Sequence, residues 1–362
     1  MRVQQAAGLG WSDADLARAG LTEMREMYTS SAFTALEQRK LFWETWSLVA
    51  SSEQLPPRRY IAVTVAGAPI AVWRDGQGVC RAVHNLCRHR GIPLLEGEGD
   101  LGKFVTCPYH QWSYNLDGDL VRIPQPDQFP DVDMTDLGLR PVPVVEWHGM
   151  IFVCPSSEPP DFHREMELLT AELAGHLSLP LVEVARADYT VNCNWKLLVE
   201  NHVDVYHLGY LHQRSLAAYR HPSFEWRWEG TTWWSWEPLK DRSAAGPGLG
   251  GLTDDGRCGI GAHLLFPNVM IVTTGDYLAT YDARPVDPGR TAMTLRIRSS
   301  PGADGAALVA SVRTFLAEDV KACEAMQTAT RSPFFQVGPT ATDHEEPVRI
   351  FHSLLRSRVL AQ

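Results

Sequence analysis

Two short runs carry donors suited to a metal: Cys87-Arg88-His89 and, after 17 intervening residues, Cys107-Pro108-Tyr109-His110. Each run offers one thiolate and one imidazole from a loop punctuated by Gly or Pro. Thiolates suit iron–sulfur clusters and zinc, and imidazole suits either. The alternating order lets each loop give one sulfur and one nitrogen to a [2Fe–2S] cluster with two cysteines on one iron and two histidines on the other. Replacing two thiolates by neutral imidazoles removes negative charge and raises the cluster potential, so that it serves as an electron relay rather than a strong reductant. The competing reading is a structural Cys2His2 zinc, whose cysteines usually stand together as Cys-x(2–4)-Cys. The remaining cysteines, Cys80, Cys154, Cys193, Cys258 and Cys323, have no such company and read as packed apolar side chains.

A second dense segment runs from Asn194-Trp195-Lys196 through Glu200-Asn201-His202-Val203-Asp204 to His207 and His212. Five positions on one unbroken helix put His207 and His212 about 140° apart, which is awkward for one ion. Gly209 between them permits a break or a widened turn. A non-haem iron oxygenase site needs two histidines and one carboxylate on one face, with open positions opposite. Asp319 is the candidate carboxylate, on a helix where Leu316, Val320, Cys323 and Gln327 share its face. By pattern alone, Glu318-Asp319 reads equally well as a solvated acidic pair. Asp204, three residues before His207, is placed to accept a proton from that ring's other nitrogen. His202 and His84 read as hydrogen-bonded core histidines.

Cys87–Gly91, Cys107–Trp112, the following Tyr114-Asn115-Leu116-Asp117-Gly118 and Pro124 resemble the cluster loops of Rieske non-haem iron oxygenases, the ring-hydroxylating oxygenase alpha subunits. Gln111 departs from the pattern, which usually has Gly there. The segment from Glu200 to His212 is similar to that family's Glu-Asn-x-x-Asp-x-Tyr-His-x(4)-His motif, and Asp319, Glu324 and Gln327 match its distant acidic helix. The resemblance covers nearly the whole chain. It implies that Cys87, His89, Cys107 and His110 hold a Rieske [2Fe–2S] cluster and that His207, His212 and Asp319 hold a mononuclear Fe(II). It makes Asp204 an electron-transfer bridge to His110 of a neighbouring subunit, with Tyr206 and Asn201 as supporting residues. Further implications are a homotrimer, a possible separate small beta subunit, and electrons drawn from NAD(P)H through a ferredoxin or flavin reductase. Dioxygen and a small organic molecule would be the substrates.

These sites require particular elements. Residues 1–40 show helical spacing, expected to pack on the catalytic domain. Short β-rich runs at 60–65, 69–74 and 149–153, separated by turn residues, predict a small antiparallel β domain over 41–157. Pro155–Pro160 reads as a linker. Over 158–362 helices are expected at 161–176, 195–208 and 306–328, and strands at 224–236, 262–272, 277–284 and 291–298. The fold class is therefore α+β: a Rieske domain ahead of a catalytic domain whose antiparallel sheet is flanked by helices, helix-grip-like by resemblance. Composition agrees, with 44% hydrophobic and 21% charged residues among 362. The formal net charge of −10 disfavours nucleic acid or an anionic membrane as partner. No signal-like N-terminus and no run of about 18 apolar residues stands in the chain, which predicts a cytoplasmic protein.

The substrate is less legible. Trp226, Trp228, Trp233, Trp234 and Trp236, with 264–271, are candidate pocket walls. They point to hydroxylation or dihydroxylation of an aromatic ring, as in aromatic hydrocarbon catabolism. The alternative is monooxygenation or demethylation of a methylated amine or a carnitine- or choline-like quaternary ammonium compound held by an aromatic cage. Sheet packing explains most of these tryptophans equally well. A reading from another class, a non-catalytic Rieske electron carrier, needs only the first third of the chain and leaves His207 and His212 without a purpose.

Overall fold

The computed structural model describes residues 9–131, 133–221, 224–246 and 248–361. Contacts divide the chain into two compact units: Phe42–Pro160, and the residues up to Leu41 together with those from Asp161 onward.

In the Phe42–Pro160 unit a five-stranded sheet runs Glu98–Asp100, Arg59–Val65, Ala68–Arg74, Cys80–His84, Pro141–Val142, flanked by two three-stranded sheets. Ser47–Ser51 and Cys80–His84 are strands beyond those read from the sequence. The first donor loop follows strand Cys80–His84, and the second is the turn between Val105–Thr106 and Ser113–Tyr114. Both rest on one apolar core that includes Trp73, Leu94, Trp112 and Tyr114.

The other unit is built on seven antiparallel strands in the order Val182–Val191, Arg290–Ser299, Leu278–Asp287, Val269–Thr273, Gly259–Leu265, Thr232–Pro238, Glu225–Glu229. The central strands are buried on both faces, whereas the edge strand Glu225–Glu229 alternates exposed and half-buried residues. Two expected single strands are hairpins. The run 224–236 turns at Gly230-Thr231, where Gly230 takes φ +54°, a conformation that costs glycine little. The run 262–272 turns at 266–268, where Pro267 has no N–H for a ladder. Strand Val182–Val191 and helix Glu346–Val359 are elements beyond those read from the sequence; the helix buries Val348, Phe351, His352, Leu355 and Val359 at helical spacing. The expected helix at 161–176 is three short helices.

The long helix Gly305–Thr330 begins at Asp304, whose side chain accepts the Ala307 N–H, and buries Val312, Leu316, Cys323, Gln327 and Thr330 along one stripe. Helix Trp195–Val203 is capped by Asn194. The N-terminal segment is fastened to it by a buried cluster. Lys196 Nζ lies 2.7 Å from Glu37 Oε1, the Trp195 ring N–H donates to Glu37 Oε2 at 3.2 Å, and the Tyr28 hydroxyl donates to Glu200 at 2.9 Å. No helix among the described residues is long and apolar enough to cross a membrane.

Candidate active site

The two donor loops close alike. The Gly91 N–H bonds the Cys87 carbonyl at 2.9 Å, and the Gln111 N–H bonds the Cys107 carbonyl at 3.0 Å. Both closing residues lie in the left-handed region, Gly91 at φ +71° and Gln111 at φ +58°. Gln111 therefore takes a glycine's conformation with a side chain attached.

The loops bring like donors together. His89 Nδ1 and His110 Nδ1 face each other at 3.1 Å, and the buried Cys87 and Cys107 thiols contact one another. Burial raises the Cys107 thiol's pKa, while backbone N–H groups of His110 and Tyr109 aimed at it act the other way. Trp112 stacks on His89 with ring centroids 4.8 Å apart, and the Tyr114 hydroxyl touches Cys87 Sγ at 3.4 Å while accepting the Arg88 N–H. A tetrahedral zinc with bonds of 2.0–2.3 Å needs its donors within about 3.8 Å of one another. Among the described residues His207, His212 and Asp319 are the only such group with ligand atoms within 4.8 Å, so no three of the loop donors come that close. A sulfur pair and a nitrogen pair, set apart, fit a two-iron cluster and not a single ion.

The second group forms where the sequence-expected helix over 195–208 is broken. The break is at Asp204, not at Gly209. Helix Trp195–Val203 ends there because Asp204 turns to extended backbone and its Oδ1 accepts the Tyr206 N–H at 2.6 Å, a local bond that competes with helix continuation. A single turn, Leu208–Leu211, then stands between His207 and His212 and re-aims both rings. Gly209 lies inside that turn.

His207 Nε2 and His212 Nε2 are 3.2 Å apart, and Asp319 Oδ1 lies 3.5 Å and 3.0 Å from them. Cis ligands on an octahedral ion with bonds of about 2.1 Å stand about 3.0 Å apart, so this triangle fits one face of such an ion. Asp319 Oδ1 is buried without a hydrogen bond, the condition of a donor reserved for a cation. Burial alone would lower the His207 pKa, but the Asp204 and Asp319 carboxylates outweigh it and raise it to about 9. Asp319 is correspondingly held below its usual value, since both imidazoles outweigh its burial. Asp319 thus points inward, and the solvated acidic-pair reading fails for it.

Glu318 was not singled out by sequence. Its Oε2 lies 2.7 Å from His212 Nδ1 and accepts the Ser215 hydroxyl at 2.5 Å. Only its position beside Asp319 hinted at this. Asp204 Oδ2 is 3.5 Å from His207 Nδ1, a contact too long to count as a hydrogen bond. The His202 Nε2–H donates to the His263 carbonyl, 2.9 Å away, and burial lowers the His202 pKa to about 4, so it is neutral. His84, half-buried, is likewise lowered by burial. Tyr206 is exposed, and Asn201 borders the cavity.

A cavity of about 90 Å³ opens beside the triad. Alternate residues of the sheet form its floor: Ile260, Ala262, Met270, Val272, Tyr281 and Met293. Leu198, His202, Leu208, Leu216 and Phe315 cover it from the helices and turns. No tryptophan lines it among the described residues, and Met270 is the only contribution from the segments expected as walls. Trp233 is fully buried sheet packing, while Trp234 and Trp236 border a different cavity on the opposite side of strand Gly259–Leu265.

The ring hydroxylating alpha subunit (catalytic domain) family matches residues 180–361, and the Rieske [2Fe-2S] domain family matches residues 45–143. The chain belongs to the Rieske ring-hydroxylating oxygenase alpha-subunit family. It is accordingly an oxygenase, with a Rieske cluster and a mononuclear iron as its cofactors. Among its relatives, the glycine betaine monooxygenase oxygenase subunit of Chromohalobacter salexigens is 35% identical over 53% of this chain and 43% of its own length. The chloroplastic choline monooxygenase of Arabidopsis thaliana is 27% identical over 91% of this chain and 80% of its own. A quaternary ammonium Rieske monooxygenase in complex with L-carnitine superposes with a TM-score of 0.78 at 24% identity, covering 92% of this chain and 94% of that one. Naphthalene 1,2-dioxygenase from Rhodococcus sp. gives 0.77 at 18%, covering 93% and 94%. These two structures share the fold with this Rieske oxygenase; at such identities they speak to nothing finer.

Proposed function

We propose that this Rieske oxygenase is a monooxygenase of a small quaternary ammonium compound. The observation that carries this is the cavity. It is small, about 90 Å³, and lined chiefly by apolar side chains. Tyr281 and Phe315 offer aromatic surface, and no Lys or Arg stands among the described lining residues. That set suits a compact trimethylammonium head, attracted to ring faces and met by no Lys or Arg side chain. The glycine betaine, choline and carnitine monooxygenases among the relatives favour the same substrate class. The tryptophan run, which was the residue-level basis for expecting an aromatic ring, lies outside the cavity.

In this reading Cys87, His89, Cys107 and His110 would hold the cluster, and His207, His212 and Asp319 would hold the iron beside the cavity. When bound, the metals supply electron delivery and dioxygen activation. The protein's residues do the rest. Met270, Met293 and Leu316 keep water from the reacting face. Neutral His202 adds no charge that would repel the substrate. Asp204 sits against His207 Nδ1 and serves as the bridge to His110 of a neighbouring copy in a homotrimer. A ferredoxin or flavin reductase supplies two electrons per turnover; with two protons, one oxygen atom enters the substrate and the other leaves as water.

The test is coupled oxygen uptake by the full chain with a reductase–ferredoxin pair. Glycine betaine, choline and carnitine would be compared with benzoate and naphthalene. Uptake matched to product from an ammonium compound is expected; coupling to the aromatic compounds alone would overturn the substrate proposal. Analysis for metals should give about three irons and two acid-labile sulfides per chain.

A further inference from the structure

Both histidines of the iron triad present Nε2 to the centre, yet their outer nitrogens are held very differently. His207 Nδ1 has only the 3.5 Å contact with Asp204, whose other oxygen is committed to the Tyr206 N–H. His212 Nδ1 has a carboxylate at 2.7 Å, and that carboxylate is itself held by Ser215 at 2.5 Å. We infer that Glu318 is the positioning residue of the iron site, fixing the ring orientation and proton of His212 so that Nε2 is offered to the metal.

The backbone around His212 makes such a device necessary. His212 caps a helix of four residues, and its own N–H reaches the Leu208 carbonyl at a long 3.3 Å. One turn of helix is not stable by itself and cannot hold a ring to the tolerance a metal requires. The long helix Gly305–Thr330 can. Glu318 and Asp319 are adjacent on it, and their side chains leave the axis about 100° apart. They bracket one imidazole: Asp319 stands 3.0 Å from Nε2 and Glu318 2.7 Å from Nδ1. The ring is 1% exposed and has no room to swing away.

The chemistry follows from the hydrogen bond. A carboxylate accepting from Nδ1–H settles the tautomer, leaves the Nε2 lone pair free and makes the imidazole a stronger donor. Ser215 donates to the same oxygen and so keeps the carboxylate in that rotamer. A bland alternative exists, since the Glu318 side chain is 34% exposed and surface carboxylates often pair with histidines without consequence. The Ser215 bond and the burial of His212 argue against it.

This inference rests on the reading that His212 binds iron, and the experiment separates the two. Full-length protein is loaded anaerobically with Fe(II) and challenged with a ferrous chelator; retained mononuclear iron, cluster absorption and thermal unfolding are each recorded. Glu318→Gln, which keeps an acceptor but removes the charge, and Glu318→Ala should lose iron affinity by about 10–100-fold with cluster absorption and unfolding temperature unchanged. Glu318→Asp should recover part of it, and Ser215→Ala should show a smaller loss of the same kind. If His212→Ala sheds iron while Glu318→Gln and Glu318→Ala hold it like the parent, Glu318 does not position the ligand. If His212→Ala itself holds iron normally, the ligand assignment falls first.

Discussion

Lys196 and Glu37 are both fully buried, and the pair joins the N-terminal segment to the helix that leads into the iron site. Burial pushes the Glu37 carboxyl up and the Lys196 ammonium down, and each group opposes the other's shift. Lys196→Met keeps an apolar stem but removes the charge, whose nitrogen stands 5.5, 5.3 and 5.3 Å from the ring centroids of Tyr28, Phe33 and Trp195. Breaking a buried pair in this way costs about 3–5 kcal/mol. The loss has a ceiling, because Glu37 can escape by taking up a proton. From an unfolded pKa of about 4.3, protonation at pH 7 costs roughly 3.7 kcal/mol, and at pH 5 only about 1 kcal/mol. The sign follows from proton binding. In the variant the folded state holds a proton on Glu37 that the unfolded chain releases above its own pKa, so stability falls as pH rises. The penalty should therefore shrink by about 1.4 kcal/mol for each unit from pH 7 towards pH 5. Adding Glu37→Gln should remove most of that pH dependence. Denaturant unfolding of parent, single and double variants at pH 5, 6 and 7 measures all of this. A penalty independent of pH would refute the account, since it would mean that Glu37 stays ionised in the folded variant.

Three other outcomes are expected. Gln111→Gly should stabilise the Rieske unit by about 1 kcal/mol, the approximate cost of a side chain in the left-handed region, read as a higher unfolding temperature with cluster absorption intact. Tyr281→Phe should leave stability nearly unchanged, because the hydroxyl is buried with no protein partner, yet raise KM if that hydroxyl meets the substrate; stability loss without a KM change would count against it. Asp204→Asn should retain iron but slow turnover, and normal turnover would remove Asp204 from the electron path.

Much of the site's chemistry was written in one dimension. Cys87, His89, Cys107 and His110 sit in loops whose donor order alone separates a mixed-ligand cluster from a zinc finger. His207 and His212 were identifiable because a spacing of five demands a distorted helix. Where the helix breaks was not legible: Gly209 looked permissive, but the local bond from Asp204 to the Tyr206 N–H is stronger than a mere tolerance. Asp319 read no better than a solvated acid until the long helix turned it onto two imidazoles more than a hundred residues away. Glu318 and the cavity walls were invisible for the same reason. Alternation along a strand says that Trp234 and Ile260 each take a face, but not which face meets the iron. Donor identity and spacing are properties of short segments, and the sequence determines them outright. Which side chains converge, and whether a tryptophan lines a cavity or packs a sheet, depends on how seven strands register against two helices, and only the tertiary structure decides that.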